Sequence, residues 1–388
     1  MRQRNGAIVI LCAGYGDGHV QVSRTLKRKF GELGFGNVRI VDLFREAHPA
    51  MDAFSKFLYA RSPAWSELGL DYYGWSYYLT RDMKTGGMMS KWLGTFGLHK
   101  LTEVLDGDRP LALISTFPFS GVFEHVRRSG IAVPTFTVIT DFTLHNRWLS
   151  STPDHFFAAT EDLKRAMMER GVPGRRITVT GIPIRDAFYE TGEAAEKPTS
   201  SGGNVLIMAG AFGVLRDIRS MAARVLELGE ASVTIVCGRN EPLKRELEAW
   251  FGAERRVAVY GYVERVDELM RYASCMITKA GGVTLAEAIQ IGIPTLIYKP
   301  FSGQEKENAI YLEQQGFARI TYNMNQLADQ VNLMLERGRM GWPRTNIRPP
   351  GKAAGDIADR VIRSIGASIA EPVPAGASFD PHSGWRPK

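Results

Sequence analysis

The chain opens with a run of apolar positions followed by a glycine loop and a helical stretch. Ala7-Ile8-Val9-Ile10-Leu11 is continuous rather than alternating, the pattern of a strand buried on both faces. Gly14-Tyr15-Gly16-Asp17-Gly18 reads as a loop, and Val20 to Leu33 as a helix ended by Gly34. Val38 to Asp42, Leu111 to Ser115 and Thr135 to Ile139 are further strand candidates. Strands alternating with helices predict an α/β architecture with a parallel sheet.

The pattern then restarts. Residues 190–203 carry Gly, Ser, Pro, Thr and charge with little that is apolar, the composition of a linker. Beyond it, Val205–Met208, Val233–Val236, Val257–Tyr260, Cys275–Thr278 and Thr295–Tyr298 read as strands. The first, second and fourth run into glycine-containing loops. The expected division is a first domain over 1–189, a linker over 190–203 and a second domain over 204–345. A C-terminal helix region follows over 346–370, with its helix at Asp356 to Ile369, and a disordered tail over 371–388, rich in Pro, Gly and Ser. Two similar halves predict two Rossmann-like domains facing a cleft, with ligands at the carboxyl ends of the strands.

Composition narrows the picture. A chain of 388 residues with 44% apolar content can bury two cores without staples. Cys12, Cys237 and Cys275 lie in apolar stretches without metal-like spacing and read as small buried hydrophobes. No segment approaches the roughly 20 apolar residues of a membrane span, and the apolar run after Asn5-Gly6 is too short for one. The net charge of +7 suits phosphates, anionic lipid or nucleic acid. Zinc-finger spacing, an arginine-rich arm and an RNA-binding aromatic signature are all missing from the sequence, so no nucleic-acid partner is expected.

The segment richest in chemistry is Lys279-Ala280-Gly281-Gly282-Val283-Thr284-Leu285-Ala286-Glu287. Paired glycines let backbone approach a ligand, and the helix start behind them offers N–H groups to a phosphate. Glu287 comes one turn later, where a carboxylate can accept from a ribose diol; Thr284-x-x-Glu287 also fits a capping box. After the next strand, Gln304, Glu305 and Asn308 supply donors and acceptors for sugar hydroxyls, or else form a polar turn and a helix start. Gly210 and Gly213 follow one strand and Arg239 another, as a diphosphate cradle or as ordinary βα turns. A P-loop and a well-placed pair of Asp residues are both lacking, so no metal and no cofactor are expected.

This array resembles the nucleotide-sugar half of the GT-B glycosyltransferases that make monogalactosyldiacylglycerol and diglucosyldiacylglycerol, with the lipid II-forming N-acetylglucosaminyltransferase a more distant relative. The resemblance spans roughly 7–340. It is carried also by Gly16-Asp17-Gly18-His19, by Thr140-Asp141-Phe142-Thr143-Leu144-His145-x-x-Trp148 and by Gly181-Ile182-Pro183-Ile184-Arg185. It departs at Ser302, where a proline often stands, and at Val22-Ser23, where small residues are usual. The resemblance implies inverting, metal-independent transfer of a hexose from a UDP-sugar to diacylglycerol or a related lipid. The donor would lie on the second domain and the acceptor on the first. It implies that Glu287 holds the ribose, that Gln304 and Glu305 hold the hexose, and that backbone near Tyr262 and Val263 meets the uracil. Gly18, Gly210, Gly213, Arg239, Lys279, Gly281, Gly282, Thr284 and Asn308 complete the expected donor site.

Removal of the acceptor's proton requires a base. His19, near a helix N-terminus, is one candidate; His145, with Asp141 orienting it, is the other. Aromatic residues crowd the stretch from Phe54 to Phe96, among them Trp65, Trp75 and Trp92, with Arg81 and Lys84 interleaved. With Trp148 they form the expected acceptor and membrane surface, suited to an anionic interface at the cytoplasmic face; an aromatic-cored helical subdomain is the plainer alternative. Two other readings use the same donor loops: a UDP-sugar epimerase on the same fold, and a non-catalytic nucleotide-sugar sensor with no need of either histidine. The sequence leaves protein partners unspecified.

Overall fold

The structure is a computed structural model that describes residues 6–14, 17–47, 98–190, 202–340 and 352–370. It divides into two units. The first holds the described residues up to Ile184 together with 352–370, and the second holds Arg185 to 340, so the chain passes between them ahead of the linker expected at 190–203.

The first unit runs β1 (Ile8–Cys12), α1 (Gly18–Glu32), β2 (Val38–Asp42), α2 (Leu43–Ala47), α3 (Leu98–Asp108), β3 (Ala112–Ser115), α4 (Val122–Arg128), β4 (Thr135–Val138), β5 (His155–Ala158), α5 (Glu161–Glu169) and β6 (Ile177–Val179). Its sheet has the order β2-β1-β3-β4-β5-β6, parallel throughout. Every residue of β1 is buried, as its continuous apolar run requires. Val9, Leu11 and Leu113 pack with Leu101, Val104 and Phe123 in one core cluster. The helix after β1 begins at Gly18 rather than Val20, which brings His19 into its first turn.

The second unit runs β7 (Asn204–Met208), α6 (Ile218–Leu226), β8 (Ser232–Val236), α7 (Glu241–Phe251), β9 (Val257–Tyr260), α8 (Val266–Tyr272), β10 (Cys275–Thr278), α9 (Gly282–Ile291), β11 (Thr295–Tyr298), α10 (Gln304–Gln314), β12 (Ala318–Thr321) and α11 (Met324–Met340). Its sheet order is β12-β11-β10-β7-β8-β9, again all parallel. The core joins Val205, Ile207, Ile235 and Ile277 to Met221 and Leu247 of the covering helices. The last helix, α12 (Ala353–Ala370), belongs to the first unit, where Ile357, Ala358 and Val361 are buried and it packs beside α1.

The three cysteines are buried, and burial pushes the thiols of Cys12 and Cys275 up to about 12 and that of Cys237 to about 11, as expected of inert hydrophobes. Among the described residues, no helix is long and apolar enough to cross a membrane. The aromatic stretch with Trp65, Trp75, Trp92, Arg81 and Lys84, and the tail over 371–388, lie outside the described residues.

Strand order locates one crevice in each unit. In the first sheet the chain leaves β1 to one side for β2 and returns to the other for β3. In the second it leaves β7 for β8 and returns beside it as β10. At such switch points neighbouring loops diverge and leave a crevice beyond the strand ends.

Candidate functional site

At the first switch point, the first turn of α1 delivers His19 and the loop after β3 delivers Thr116. His19 Nδ1 lies 2.7 Å from the Thr116 carbonyl oxygen and 3.1 Å from Thr140 Oγ1. A carbonyl only accepts, so Nδ1 carries the proton and the neutral ring presents the lone pair of Nε2. The ring meets Phe117 edge-on at 5.0 Å and lies 6.3 Å from the Trp148 ring. Burial by these groups lowers its pKa from 6.5 to about 4, against the opposing bond to Thr116. His19 is therefore neutral at pH 7.

The backbone beneath His19 is fastened by neutral hydroxyls. Ser23 Oγ donates to the His19 carbonyl at 2.8 Å and meets Thr116 Oγ1 at 3.0 Å, while the Thr116 N–H donates to Leu11 O at 3.0 Å. Val22 and Ser23 are fully buried, so α1 approaches the sheet closely despite their departure from smaller residues. Gly18 is the first residue of α1.

His145 is built differently. It is 4% exposed, and its Nδ1 accepts the Arg147 N–H at 3.0 Å, capping a single 3₁₀ turn over Asn146–Leu149. With Nδ1 accepting, the neutral ring carries its proton on Nε2. The capped turn delivers Trp148, whose indole N–H donates to Asp141 Oδ2 at 3.1 Å.

At the second switch point, the loops after β7 and β10 meet through Lys279. A Cβ on Gly210 would lie 3.0 Å from Lys279 Cε, and Lys279 Nζ pairs with Glu305 Oε1 at 2.5 Å. Glu305 Oε2 is buried without a hydrogen-bond partner. The loops after β7 and β8 interlock: the Arg239 N–H donates to Ala211 O at 2.9 Å, and a Cβ on Gly238 would fall 2.4 Å from Gly210 O. Gly213 lies against Asn240, the N-cap of α7. The Arg239 guanidinium stacks 4.8 Å from the Tyr262 ring. Tyr262, Arg239, Gly210, Lys279 and Glu305 thus form one connected row along the carboxyl edge of the sheet. Gln304 Nε2 donates to Asn308 Oδ1 at 3.4 Å beside it.

Glu287 belongs to a second group on this unit. It is 3% exposed, and Arg185 NH2 donates to its Oε1 at 3.2 Å. Arg185 NH1 donates to Glu264 O at 2.6 Å, which ties Glu287 to the segment carrying Tyr262 and Val263. Burial raises the Glu287 pKa from 4.5 to about 7; Arg185 opposes that and Asp267 adds to it. Gly281 is the N-cap of α9, Gly282 its first residue, and Thr284 lies inside the helix. The Thr284-x-x-Glu287 capping box is therefore not formed. Sequence reading assigns no site role to Arg185, although it closes the Gly181 to Arg185 match, nor to Thr116, which directly follows the strand ending at Ser115. Among the described residues, no three His, Cys, Asp or Glu side chains gather as a metal-binding group.

Comparison with known proteins places these features in a family. Residues 19–184 match the monogalactosyldiacylglycerol (MGDG) synthase family, and residues 204–345 match the glycosyltransferase family 28 C-terminal domain. The chain is 37% identical over 342 residues to a processive diacylglycerol beta-glucosyltransferase of Bacillus cytotoxicus, covering 87% of each chain. It is 36% identical over 346 residues to one from Bacillus cereus, covering 86% of each. Among solved structures, MurG of Acinetobacter baumannii superposes with a TM-score of 0.55 at 15% identity, over 92% of this chain and 99% of that one. The MnaA–UDP complex of Staphylococcus aureus gives 0.58 at 12% identity, over 97% and 100%. Likeness at that identity is one of fold, and it is shared by transferases and epimerases of the GT-B type. The identities at the level of sequence decide the matter: this two-unit α/β chain belongs to the glycosyltransferase family in which an MGDG synthase domain precedes a family 28 C-terminal domain, together with the processive diacylglycerol beta-glucosyltransferases.

Proposed function

We propose that the protein transfers a hexose from a UDP-sugar to diacylglycerol, with inversion and without a metal ion. The acceptor hydroxyl oxygen attacks the anomeric carbon as the bond from that carbon to the diphosphate oxygen breaks. His19 Nε2 takes the hydroxyl proton, and UDP leaves with the bonding electron pair. The beta linkage in the name of the Bacillus relatives supports inversion if the donor is alpha-linked. The observation that carries the mechanism is the 2.7 Å contact from His19 Nδ1 to a carbonyl, which orients the ring and leaves Nε2 as the base. His145, whose Nδ1 is occupied by a backbone N–H, is read as a cap that sets Trp148 and Asp141 for the acceptor.

On the donor side, Glu287 accepts from the ribose diol, with Arg185 favouring its ionised form. Backbone at Tyr262 and Val263 meets the uracil. Gln304 and Glu305 bind hexose hydroxyls, one of which would satisfy the buried Glu305 Oε2. Asn308 steadies Gln304. Gly210, Gly213, Arg239, Lys279 and the start of α9 at Gly281, Gly282 and Thr284 meet the diphosphate. A helix N-terminus contributes about 0.3–1 kcal/mol toward an anion when exposed, so the Lys279 and Arg239 cations must share the leaving-group charge. Glucose is the proposed sugar, after the relatives' name. The net charge of +7 and a lipid acceptor support a reaction at an anionic membrane surface, and the proposed side is the cytoplasmic face.

The test is a transfer assay with purified protein, diacylglycerol in anionic vesicles, and radiolabelled UDP-glucose and UDP-galactose in parallel. Labelled glycolipid from UDP-glucose is expected. Label from UDP-galactose alone reassigns the sugar. Donor turnover without lipid labelling returns the epimerase, and donor binding without chemistry returns the sensor.

A further inference from the structure

Two of the donor-side loops are joined by a tie to which the roles above assign nothing. Asp217 ends the loop after β7, and Lys299 begins the loop after β11. Asp217 Oδ2 accepts both the Tyr298 hydroxyl at 2.8 Å and Lys299 Nζ at 3.0 Å. The Lys299 ammonium also lies 4.9 Å from the centre of the Tyr298 ring. Tyr298 is 1% exposed and part of the core, so the tie is anchored in the rigid body of the unit.

Three features set this tie apart from an ordinary surface ion pair. Asp217 (φ 56°) and Lys299 (φ 42°) both adopt left-handed backbone, which side chains bearing a Cβ avoid. Asp217 also stands at the N-cap of α6, where an aspartate usually accepts from its own helix, yet it makes no such bond and gives its carboxylate to the end of β11 and the loop after it. Burial opposes ionisation of Asp217, but the bonds from Lys299 and Tyr298 prevail and hold its carboxyl below the usual range. Lys299 is held above its usual value, first by Tyr298 and then by Asp217. The tie is thus charged on both sides at neutral pH.

Its position decides what it can control. The stretch from Lys299 to Gly303 links β11 to α10, and it is pinned by unusual backbone at each end: Lys299 at one, Gly303 (φ 91°, ψ −139°) at the other. Immediately beyond Gly303 stand Gln304 and Glu305. The loop after β7 has bonds of its own through Ala211, Gly213 and Leu215. Backbone held in sparsely populated regions marks places where the surroundings enforce a geometry.

We propose that Asp217 and Lys299 are positioning residues whose tie sets the loop after β11 so that Gln304 and Glu305 meet the donor's hexose, leaving the nucleotide contacts to other elements. This rests on the donor reading under Proposed function. It separates two halves of one ligand: breaking the tie harms recognition of the hexose and spares recognition of UDP.

The experiment is titration calorimetry of UDP and of UDP-glucose against wild type, Asp217→Asn, Lys299→Met and the double variant, with melting curves for each. Asparagine tolerates left-handed backbone, so Asp217→Asn removes charge with little added strain. We expect UDP-glucose affinity and kcat/KM to fall about tenfold or more in each single variant, because a small displacement of a positioning loop is amplified at the reacting centre. UDP affinity stays at the wild-type value, and the double variant is no worse than either single one. Equal loss for UDP and UDP-glucose overturns the proposal, as do unchanged UDP-glucose binding and additive losses. If Asp217→Asn fails to fold, Lys299→Met is read alone by the same criterion. A wild-type protein that binds UDP but no UDP-hexose sinks the donor reading itself, an outcome separate from failure of the tie.

Discussion

The two units share a six-stranded parallel sheet and a switch point beside their first strand, yet they furnish that point with opposite chemistry. The first surrounds a neutral imidazole with Phe117, Trp148 and the hydroxyls of Thr116, Thr140 and Ser23. The second lines its edge with charge: Lys279 on Glu305, Arg185 on Glu287, Lys299 on Asp217, and Arg239 on Tyr262. A proton acceptor benefits from surroundings that keep it uncharged, and a diphosphate from fixed positive charge. Topology chooses where each crevice lies, and side-chain charge distinguishes the two, which is the basis of the roles proposed for them.

The sharpest way to break this division is His19→Ala. It is expected to lower kcat by about 10²–10⁴-fold while UDP-glucose affinity, measured by calorimetry, is unchanged. Turnover near wild type removes His19 from the mechanism and with it the assignment of the first unit.

Glu287→Ala is the counterpart on the other side. Loss of hydrogen bonds to a charged group costs about 1.5–3 kcal/mol, so UDP affinity should fall about tenfold to a hundredfold, with a smaller change in kcat. Since the Glu287 carboxyl titrates near 7, wild-type UDP affinity should weaken as pH is lowered from 8 to 6. Arg185 favours the ionised form, so Arg185→Leu should move that limb to higher pH. A UDP affinity flat across this range breaks the link between Glu287 and the ribose.

The smallest effect contrasts the units' stability. His19 and His155 both have pKa values lowered from 6.5 to about 4, His19 by burial and His155 by burial together with Arg360 and Arg176. Between those values the unfolded chain binds more protons, so the stability they lend the first unit is complete above pH 6.5 and is lost toward pH 4. Glu287 has the opposite sign. Its pKa is raised from 4.5 to about 7, so the folded form binds the extra proton, and the second unit gains from this group as pH falls through 7 toward 4.5. Hydrogen exchange of the full chain at pH 5 and pH 7, corrected for intrinsic rates, should show protection falling in the first sheet relative to the second. Parallel change in both would refute the contrast.

The sequence revealed most strands that begin on or carry an apolar run before a glycine loop or a helix, and it concealed three others. β5 spans four residues, opens on His155 and carries Ala158; β6 has three residues and lies at the sheet edge; β12 is an edge strand interrupted by Arg319. β6 and β12 offer no apolar run that distinguishes a buried strand, whereas β5 carries one in Phe156-Phe157-Ala158 that the strand candidates omit. The donor loops were visible because glycine marks them, but the reason for one glycine was not. Gly238 makes room for the carbonyl of Gly210 on the next loop, a requirement that exists only once β7 and β8 are paired. The contact that favours His19 as the proposed base was equally hidden, since a tautomer is set by a partner distant in sequence: Thr116 for His19. The left-handed backbone of Asp217 and Lys299 leaves no mark in composition at all.

The helix α12 has a consequence for how the molecule is made. Its buried face, Ala353 through Ile365, completes the first unit beside α1, the helix whose first turn carries His19. Domains generally assemble in the order in which the ribosome releases them. Here the second unit is released whole while the first still waits for its closing helix. Until that helix is translated, the first unit lacks the apolar face that packs beside α1.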